Sequence, residues 1–168
     1  GRNDTVATQA ACDELIELAQ RYGLPAFLGY AQILRSWAVG KVAAADAGVD
    51  ALWRIGCRYG QTSYRALAAH TLAHAGEFDQ ALARLEECLA LAEALNERQY
   101  LAELYRDKAH YLWAHGAGLV EILAAATAAA EYAHAGGKRR IEAQALYLID
   151  QLDPVNRADA RQRLRDLL

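Results

Sequence analysis

The sequence predicts an all-α fold built from an array of short helices. Apolar residues recur at three- and four-residue spacing along the chain, and no segment shows the two-residue alternation of a half-buried strand. Alanine and leucine fill 62 of the 168 positions, and both residues favour helices. Proline, which interrupts helices, occurs only twice. The length suits one domain with a substantial core, so we expect residues 1–168 to form a single helical domain.

Glycine, asparagine and proline divide the chain into nine predicted helices. The first helix is expected to follow an N-cap at Asp4 or Thr5, with Ile16, Leu18 and Ala19 on its apolar side. The predicted helices span residues 5–22, 25–39, 42–59, 62–75, 78–94, 98–115, 119–135, 138–152 and 154–167.

The last predicted helix combines a start signal with a high density of arginine. Asp153 is expected to cap it, and Pro154 to occupy its first turn. Asp159 and Asp166 interleave with the four arginines of this helix, so a solvated capping helix explains the pattern better than a nucleic-acid patch. A second basic run, residues 138–140, opens the eighth predicted helix. The arginines are Arg157, Arg161, Arg163 and Arg165.

One residue pattern recurs along the chain with a period of about 36 to 41 residues, which predicts one helix–turn–helix unit per copy. In each copy, two residues that lie three positions apart are followed by a glycine four positions after the second. We expect the small residues of the repeats to lie where helices pack closely, and these are Ala69, Ala81, Ala109, Ala129 and Ala133. The three copies are Ile33-x-x-Ser36-x-x-x-Gly40, Ala69-x-x-Leu72-x-x-x-Gly76 and Ala109-x-x-Leu112-x-x-x-Gly116.

The best copy, residues 62–95, resembles the tetratricopeptide repeat (TPR). Arg65 stands where the family usually has tryptophan, and no proline closes the repeat. The resemblance implies a right-handed TPR-like superhelix, an α-solenoid of about four helix pairs plus a C-terminal capping helix. Its repeats would span about 26–60, 62–96, 102–137 and 138–168, with 1–23 as the last helix of a truncated upstream repeat. The matching positions are Ala69, Leu72, Gly76, Phe78, Ala81, Leu85 and Cys88.

A narrower resemblance covers most of the chain. Residues 34–38, Gly48-Val49, residues 68–70 and residues 96–106 are similar to the C-terminal repeat region of large bacterial regulators that contain an ATPase. Such regulators carry a class III adenylate or guanylate cyclase domain or a DNA-binding transcriptional domain. The chain begins at Gly1 and contains no methionine, so we expect it to be a piece of a longer protein whose catalytic centre lies elsewhere.

Composition indicates a cytoplasmic protein without a general affinity for polyanions. The net charge is −3 and the isoelectric point about 6.0, which favours neither nucleic acid nor an anionic membrane as a partner. The longest weakly apolar stretch, residues 122–130, is about half as long as a membrane-spanning helix. Three widely spaced cysteines, Cys12, Cys57 and Cys88, are typical of free thiols in a reducing compartment.

Catalytic motifs are missing from the sequence. It contains no phosphate-binding glycine loop, no dinucleotide-binding glycine pattern and no nucleophile elbow, so we expect a non-enzymatic chain without a cofactor. His70 and His74 are four residues apart on one helix, and His110 occupies the position equivalent to His70 in the next repeat. A metal site is one interpretation of these histidines. Polar residues of a binding groove are the alternative we favour, because no carboxylate or cysteine lies at ligand spacing.

The repeat register predicts a groove lined by the first helix of each pair. Its residues are mainly aromatic or amide-bearing, and Arg106 is its one fixed cation, suited to a partner's carboxylate. An alternative interpretation is that Trp37 and Trp113 fill core space. The chaperone-binding subset of the family uses Lys, Arg and Asn at several of these positions, which this chain lacks. The predicted partner-binding residues are Phe27, Tyr30, Leu34, Trp37, His70, His74, Glu103, Arg106, His110, Trp113, Gln144 and Tyr147.

Three functions are consistent with such a groove. We favour a regulatory module that binds a peptide, a partner protein or an output domain of its own chain. The first alternative is a small-molecule sensor, in which an apolar groove with Trp37, Trp113 and Tyr147 closes around a metabolite. The second alternative is a homodimerisation module that pairs through the apolar face of the first helix.

Overall fold

The prediction of an all-α fold is confirmed. A computed structural model describes residues 2–167, with side chains from residue 5 onwards, and this part of the chain contains helices and turns but no strand. Its helices are α1 (Arg2–Tyr22), α2 (Pro25–Ala38), α3 (Val42–Arg54), α4 (Gln61–His74), α5 (Phe78–Ala94), α6 (Leu101–His115), α7 (Leu119–Ala135), α8 (Arg139–Leu152) and α9 (Arg157–Leu167), with a short 3-10 turn at Arg98–Tyr100.

Most of the predicted breaks between helices coincide with left-handed backbone. Gly23, Gly40, Gly76 and Gly116 all have positive φ angles, between 65° and 83°. Asn96 has a φ of 54° and is the one non-glycine residue with positive φ in the described part of the chain. These residues end helices because the left-handed conformation reverses the chain direction and satisfies the last carbonyl groups.

The end of α3 differs from the prediction. The helix was expected to reach residue 59, but it ends at Arg54. Gly56 follows with a φ of 87°, a conformation that glycine adopts without a steric penalty. The amide of Cys57 donates to the carbonyl of Leu52 (3.0 Å), which completes the C-terminal cap. The predicted end at residue 59 corresponds to a break at Gly60, yet Gly56 already ends the helix.

Both predicted terminal caps are wrong in position. Thr5 lies inside α1, which already begins at Arg2. At the other end, α9 begins at Arg157 rather than at Pro154. Asp153 instead accepts hydrogen bonds from the amides of Val155 (2.9 Å) and Asn156 (3.3 Å), so it caps a turn that precedes the helix. Capping residues serve turns and helices equally, which is why sequence alone misplaced the helix start.

The chain divides into two compact units, Gly1–Arg84 (unit 1) and Leu85–Leu168 (unit 2). Helices that follow one another in sequence pack together from α1 to α4 in unit 1 and from α6 to α9 in unit 2. In unit 1, α1 contacts α2 as extensively as α3 does, so α1 is not set apart from the helices that follow it. The predicted count of four pairs plus a C-terminal cap is therefore wrong, because periodicity locates an apolar face without identifying the helix it packs against.

The core of unit 1 lies where α2 crosses α3. Gly29 and Gly48 are both buried at this crossing, and Ile33, Val49 and Leu52 form the apolar cluster beside them. The absence of a side chain at the two glycines allows the helix backbones to approach closely.

The core of unit 2 is built largely from alanine. Ala109, Ala126 and Ala129 are buried among α6, α7 and α8, where Leu146 and Ile149 supply larger side chains. The five small residues expected at close helix contacts, Ala69, Ala81, Ala109, Ala129 and Ala133, are all fully buried. The high alanine content of the sequence thus corresponds to closely packed helices as well as to helix propensity.

Candidate functional site

In unit 1, α2 and α4 lie side by side and run in the same direction. The Tyr30 ring on α2 packs against the Tyr64 ring on α4, with 5.1 Å between the ring centroids. Seven residues further along each helix, Trp37 and Thr71 line a common cavity. The two points follow one another in the same order along both helices, so α2 and α4 run parallel to one another.

A cavity of about 410 Å³ lies at the carboxyl-terminal ends of α2 and α4. It brings together two of the predicted binding residues, Trp37 and His74, with a residue from α1 and one from α3. Its walls are mostly apolar, and their polar groups belong to threonine and histidine. The cavity is lined by Thr5, Trp37, Ala38, Gly40, Val42, Thr71, Leu72, His74 and Ala75.

The other predicted residues of unit 1 are placed differently. Phe27 is exposed, and Leu34 and His70 are half-buried, but none of the three lines this cavity. Tyr30 is held against Tyr64, and burial raises the pKa of its phenol, with a smaller contribution from a hydrogen bond to Cys57. Tyr30 therefore contributes to packing within unit 1, and only Trp37 and His74 meet at a cavity.

In unit 2, contacts between α6 and α8 bring the predicted residues of these helices onto one face. Nζ of Lys138 donates to both carboxylate oxygens of Glu103, at 2.8 and 2.7 Å. One turn further on, Nη1 of Arg106 donates to Oε1 of Gln144 at 3.4 Å. The two helices therefore run in the same direction, as α2 and α4 do in unit 1.

Arg106 already holds a carboxylate of its own chain. Its Nε and Nη2 atoms donate to Oδ1 of Asp107, at 2.8 and 2.5 Å, and Asp107 is buried. The neighbouring carboxylate neutralises the guanidinium, so Arg106 is less available to a partner's carboxylate than the sequence indicated.

Beyond Arg106, the same face is aromatic and exposed. Burial, followed by the positive charge of Arg106, lowers the pKa of His110 and favours its neutral form. Trp113 is 52% exposed and Tyr147 is 60% exposed, and Gln144 is also exposed. Trp113 is therefore not a core residue. This exposed set, Trp113, Gln144 and Tyr147, is named the aromatic face of unit 2.

The histidines do not assemble into a metal site in the part of the chain that the structure describes. No group of three or more His, Cys, Asp or Glu side chains there is placed to hold a metal ion. Cys12, Cys57 and Cys88 form no disulfide in the described part of the chain, and the first and last of them are buried. Burial, together with the nearby Asp13, raises the pKa of the Cys12 thiol, which disfavours a reactive thiolate.

The arginines of α9 bind buried carboxylates of α8. Arg161 donates to Oδ1 of Asp150 at 2.6 Å, and Arg157 donates to the Asp150 carbonyl at 2.8 Å. Arg163 donates to Oε1 of Glu142 at 3.0 Å. Both carboxylates belong to buried residues. Three of the four arginines thus compensate charges inside unit 2, so the run is more than a solvated surface.

Sequence reasoning missed several residues that shape these surfaces. Tyr64 orients Tyr30, and Asp107 holds Arg106. The stacked rings of Tyr105 and Tyr132, 5.6 Å apart, join α6 to α7. A signal existed for Asp107, because a carboxylate within an otherwise apolar stripe requires a partner.

Comparison of the chain with protein-family models, with curated proteins and with solved structures gives no match. Among the described residues, none of the helices combines the length and the apolar character that spanning a bilayer requires.

Proposed function

We propose that the chain is a non-catalytic interaction module that binds a peptide or a helix of a partner protein on the aromatic face of unit 2. One observation carries this proposal: Trp113 and Tyr147 are each more than half exposed on helices that are fixed to one another. Large exposed aromatic side chains are enriched at protein interfaces, because they bury much apolar area at a low cost in side-chain entropy.

The polar groups around this face support recognition of an uncharged segment. Glu103 is paired with Lys138, and Arg106 with Asp107, so these four residues contribute no net charge. Gln144 remains exposed and offers an amide that both donates and accepts hydrogen bonds. We therefore expect a partner segment with apolar side chains for the aromatic rings and a backbone or amide group for Gln144.

A repeat architecture of the tetratricopeptide kind is part of this proposal. The contacts of α2 with α4 and of α6 with α8, each between helices two apart in the chain, match the stacking of the first helices of successive helix pairs, which supports it. By the sequence resemblance, the partner segment belongs either to another protein or to an ATPase or output domain of the same chain. Binding would regulate that domain if the segment binds one of its states more tightly.

Peptide selection on the immobilised chain tests the proposal. A random peptide display library supplies ligands, and isothermal titration then measures their affinity for the wild type and variants. We expect Trp113→Ala and Tyr147→Ala to weaken binding at least tenfold, as central aromatic residues of interfaces do. Tyr22→Ala is the matched control, because Tyr22 is an exposed aromatic residue of unit 1. Peptides that bind wild type and both unit 2 variants equally would show that the aromatic face is not the site.

A second candidate function, small-molecule sensing, is favoured by the cavity of unit 1. Its volume of about 410 Å³ lies within the range of small-molecule sites, and Trp37 forms part of its wall. This function does not require the aromatic face of unit 2, so the two candidates can be tested independently. A metabolite that binds the folded chain would raise its melting temperature.

A further inference from the structure

The cavity beside Trp37 has a composition that restricts its ligand. None of the residues that line it is Asp, Glu, Lys or Arg. The carboxyl-terminal ends of α2 and α4 border it together with the first turns of α1 and α3, so the helix dipoles bring both partial charges to its walls and offer no site of a single sign for an ion. An anion placed there would lose its hydration without gaining a cationic partner. The cavity therefore favours an uncharged molecule.

A second opening in unit 1 gives an internal contrast. The cleft of about 660 Å³ between α1, α2 and α3 is lined by Asp13, Arg35 and Arg54, among other residues. Arg35 forms an ion pair with Asp13. Arg54, whose Nε donates only to the main-chain carbonyl of Asp50 among the described residues, leaves a positive charge in this cleft. An anionic ligand would thus bind in the cleft rather than beside Trp37, and the two openings can be distinguished by ligand charge.

The polar side chains of the cavity beside Trp37 indicate where a ligand could form a hydrogen bond. Oγ1 of Thr71 donates to the Leu67 carbonyl at 3.0 Å, so that hydroxyl is already engaged within α4. The imidazole of His74 makes no hydrogen bond to another described residue, and it can both donate and accept one. The indole of Trp37 and the side chain of Leu72 provide apolar contact area.

We propose that this cavity binds an uncharged aromatic molecule that packs against Trp37 and forms a hydrogen bond with His74. The proposal rests on the second candidate function, small-molecule sensing, and specifies the chemical class of the ligand. It involves no residue of unit 2.

Isothermal titration of the full chain with three matched probes tests the ligand class. The probes are 2-naphthol, naphthalene and 2-naphthoate, which share a ring system and differ in polarity and charge. We expect 2-naphthol to bind with 1:1 stoichiometry, naphthalene to bind more weakly, and 2-naphthoate to bind at least tenfold more weakly than 2-naphthol. Equal or tighter binding of 2-naphthoate in the cavity would overturn the proposal.

Two variants locate the binding. His74→Leu should reduce the affinity for 2-naphthol at least fivefold and leave that for naphthalene within twofold, because it removes the hydrogen bond and retains apolar surface. Arg54→Gln, in the charged cleft, should leave 2-naphthol binding within twofold. His74 is exposed at the end of α4, and far-UV circular dichroism verifies that the variant folds. Unchanged 2-naphthol binding by His74→Leu would refute the assigned hydrogen bond.

A thermal-shift panel of uncharged and charged metabolites separates this proposal from the sensor function itself. If uncharged aromatic compounds raise the melting temperature, both are supported. If charged compounds alone raise it, the chain is a sensor but the ligand class is wrong. If neither group raises it, the sensor function fails, and the ligand class fails with it.

Discussion

Replacing Gly29 with alanine tests the close crossing of α2 and α3. A Cβ atom at residue 29 would lie 2.6 Å from Cδ2 and 2.8 Å from Cγ of Leu52. Leu52 is fully buried, so its side chain has little space to move into. Overpacking costs about 1–3 kcal/mol, whereas alanine in place of glycine inside a helix stabilises by about 1 kcal/mol. We expect Gly29→Ala to lower the free energy of unfolding by about 0–2 kcal/mol.

A double-mutant cycle with Leu52→Ala isolates the steric conflict at this crossing. Leu52→Ala alone should lower the free energy of unfolding by about 2–5 kcal/mol, because it creates a cavity. In that background the conflicting atoms are gone, so Gly29→Ala should stabilise by about 1 kcal/mol through helix propensity. The two effects of Gly29→Ala then differ by about 1–3 kcal/mol, which is the coupling energy.

Urea denaturation of the four proteins, followed by far-UV circular dichroism, measures this coupling. Gly48→Ala offers a second test at the same crossing, because its Cβ atom would lie 2.7 Å from Cγ1 of Ile33. Additive effects of Gly29→Ala and Leu52→Ala, within about 0.5 kcal/mol, would show that the helices do not approach as described and would refute the reasoning.

Three further predictions concern unit 2. Trp113→Ala should lower the free energy of unfolding by about 2 kcal/mol. This is roughly half the loss at a fully buried aromatic residue, because Trp113 is 52% exposed. A loss of about 3 kcal/mol or more in urea denaturation would make Trp113 a core residue. Burial lowers the pKa of His110, so the neutral imidazole is favoured in the folded chain. The stability that His110 contributes is therefore present above the unfolded pKa of about 6.5 and is lost as the pH falls below that value. His110→Gln should flatten the dependence of the melting temperature on pH in that range. The hydrogen bond from the Asn156 side chain lowers the pKa of Asp153. The stability that this carboxylate contributes is therefore present above about pH 3.9 and is lost as the pH falls further. Asp153→Asn should weaken the acid dependence of the melting temperature in that range, and an unchanged profile would contradict the assignment.

The helices could be predicted from sequence because their signals are local. Apolar periodicity and glycine breaks located every helix that the structure describes, and Asn96 ended α5 as expected. Errors arose where two local signals compete. Gly56 and Gly60 both have left-handed backbone; the first follows the end of α3 and the second directly precedes α4.

The candidate site was harder to predict because it depends on contacts between helices. Periodicity placed Glu103 and Arg106 on one face of α6, where they do contact α8. Periodicity did not show that the carboxylate of Asp107 accepts hydrogen bonds from the guanidinium of Arg106, because side chains at adjacent helix positions normally point in different directions. The cavity beside Trp37 was also not predictable, because helix ends that are remote in sequence form its walls.

The ion pairs between α8 and α9 have a consequence for how the chain can be shortened. A chain ending before Arg157 would keep Asp150 without either arginine that binds it, and Glu142 without Arg163. A buried carboxylate that loses its partner typically costs about 3–5 kcal/mol. The final helix is therefore an obligatory part of unit 2, and the smallest stable version of this unit should extend through Arg163.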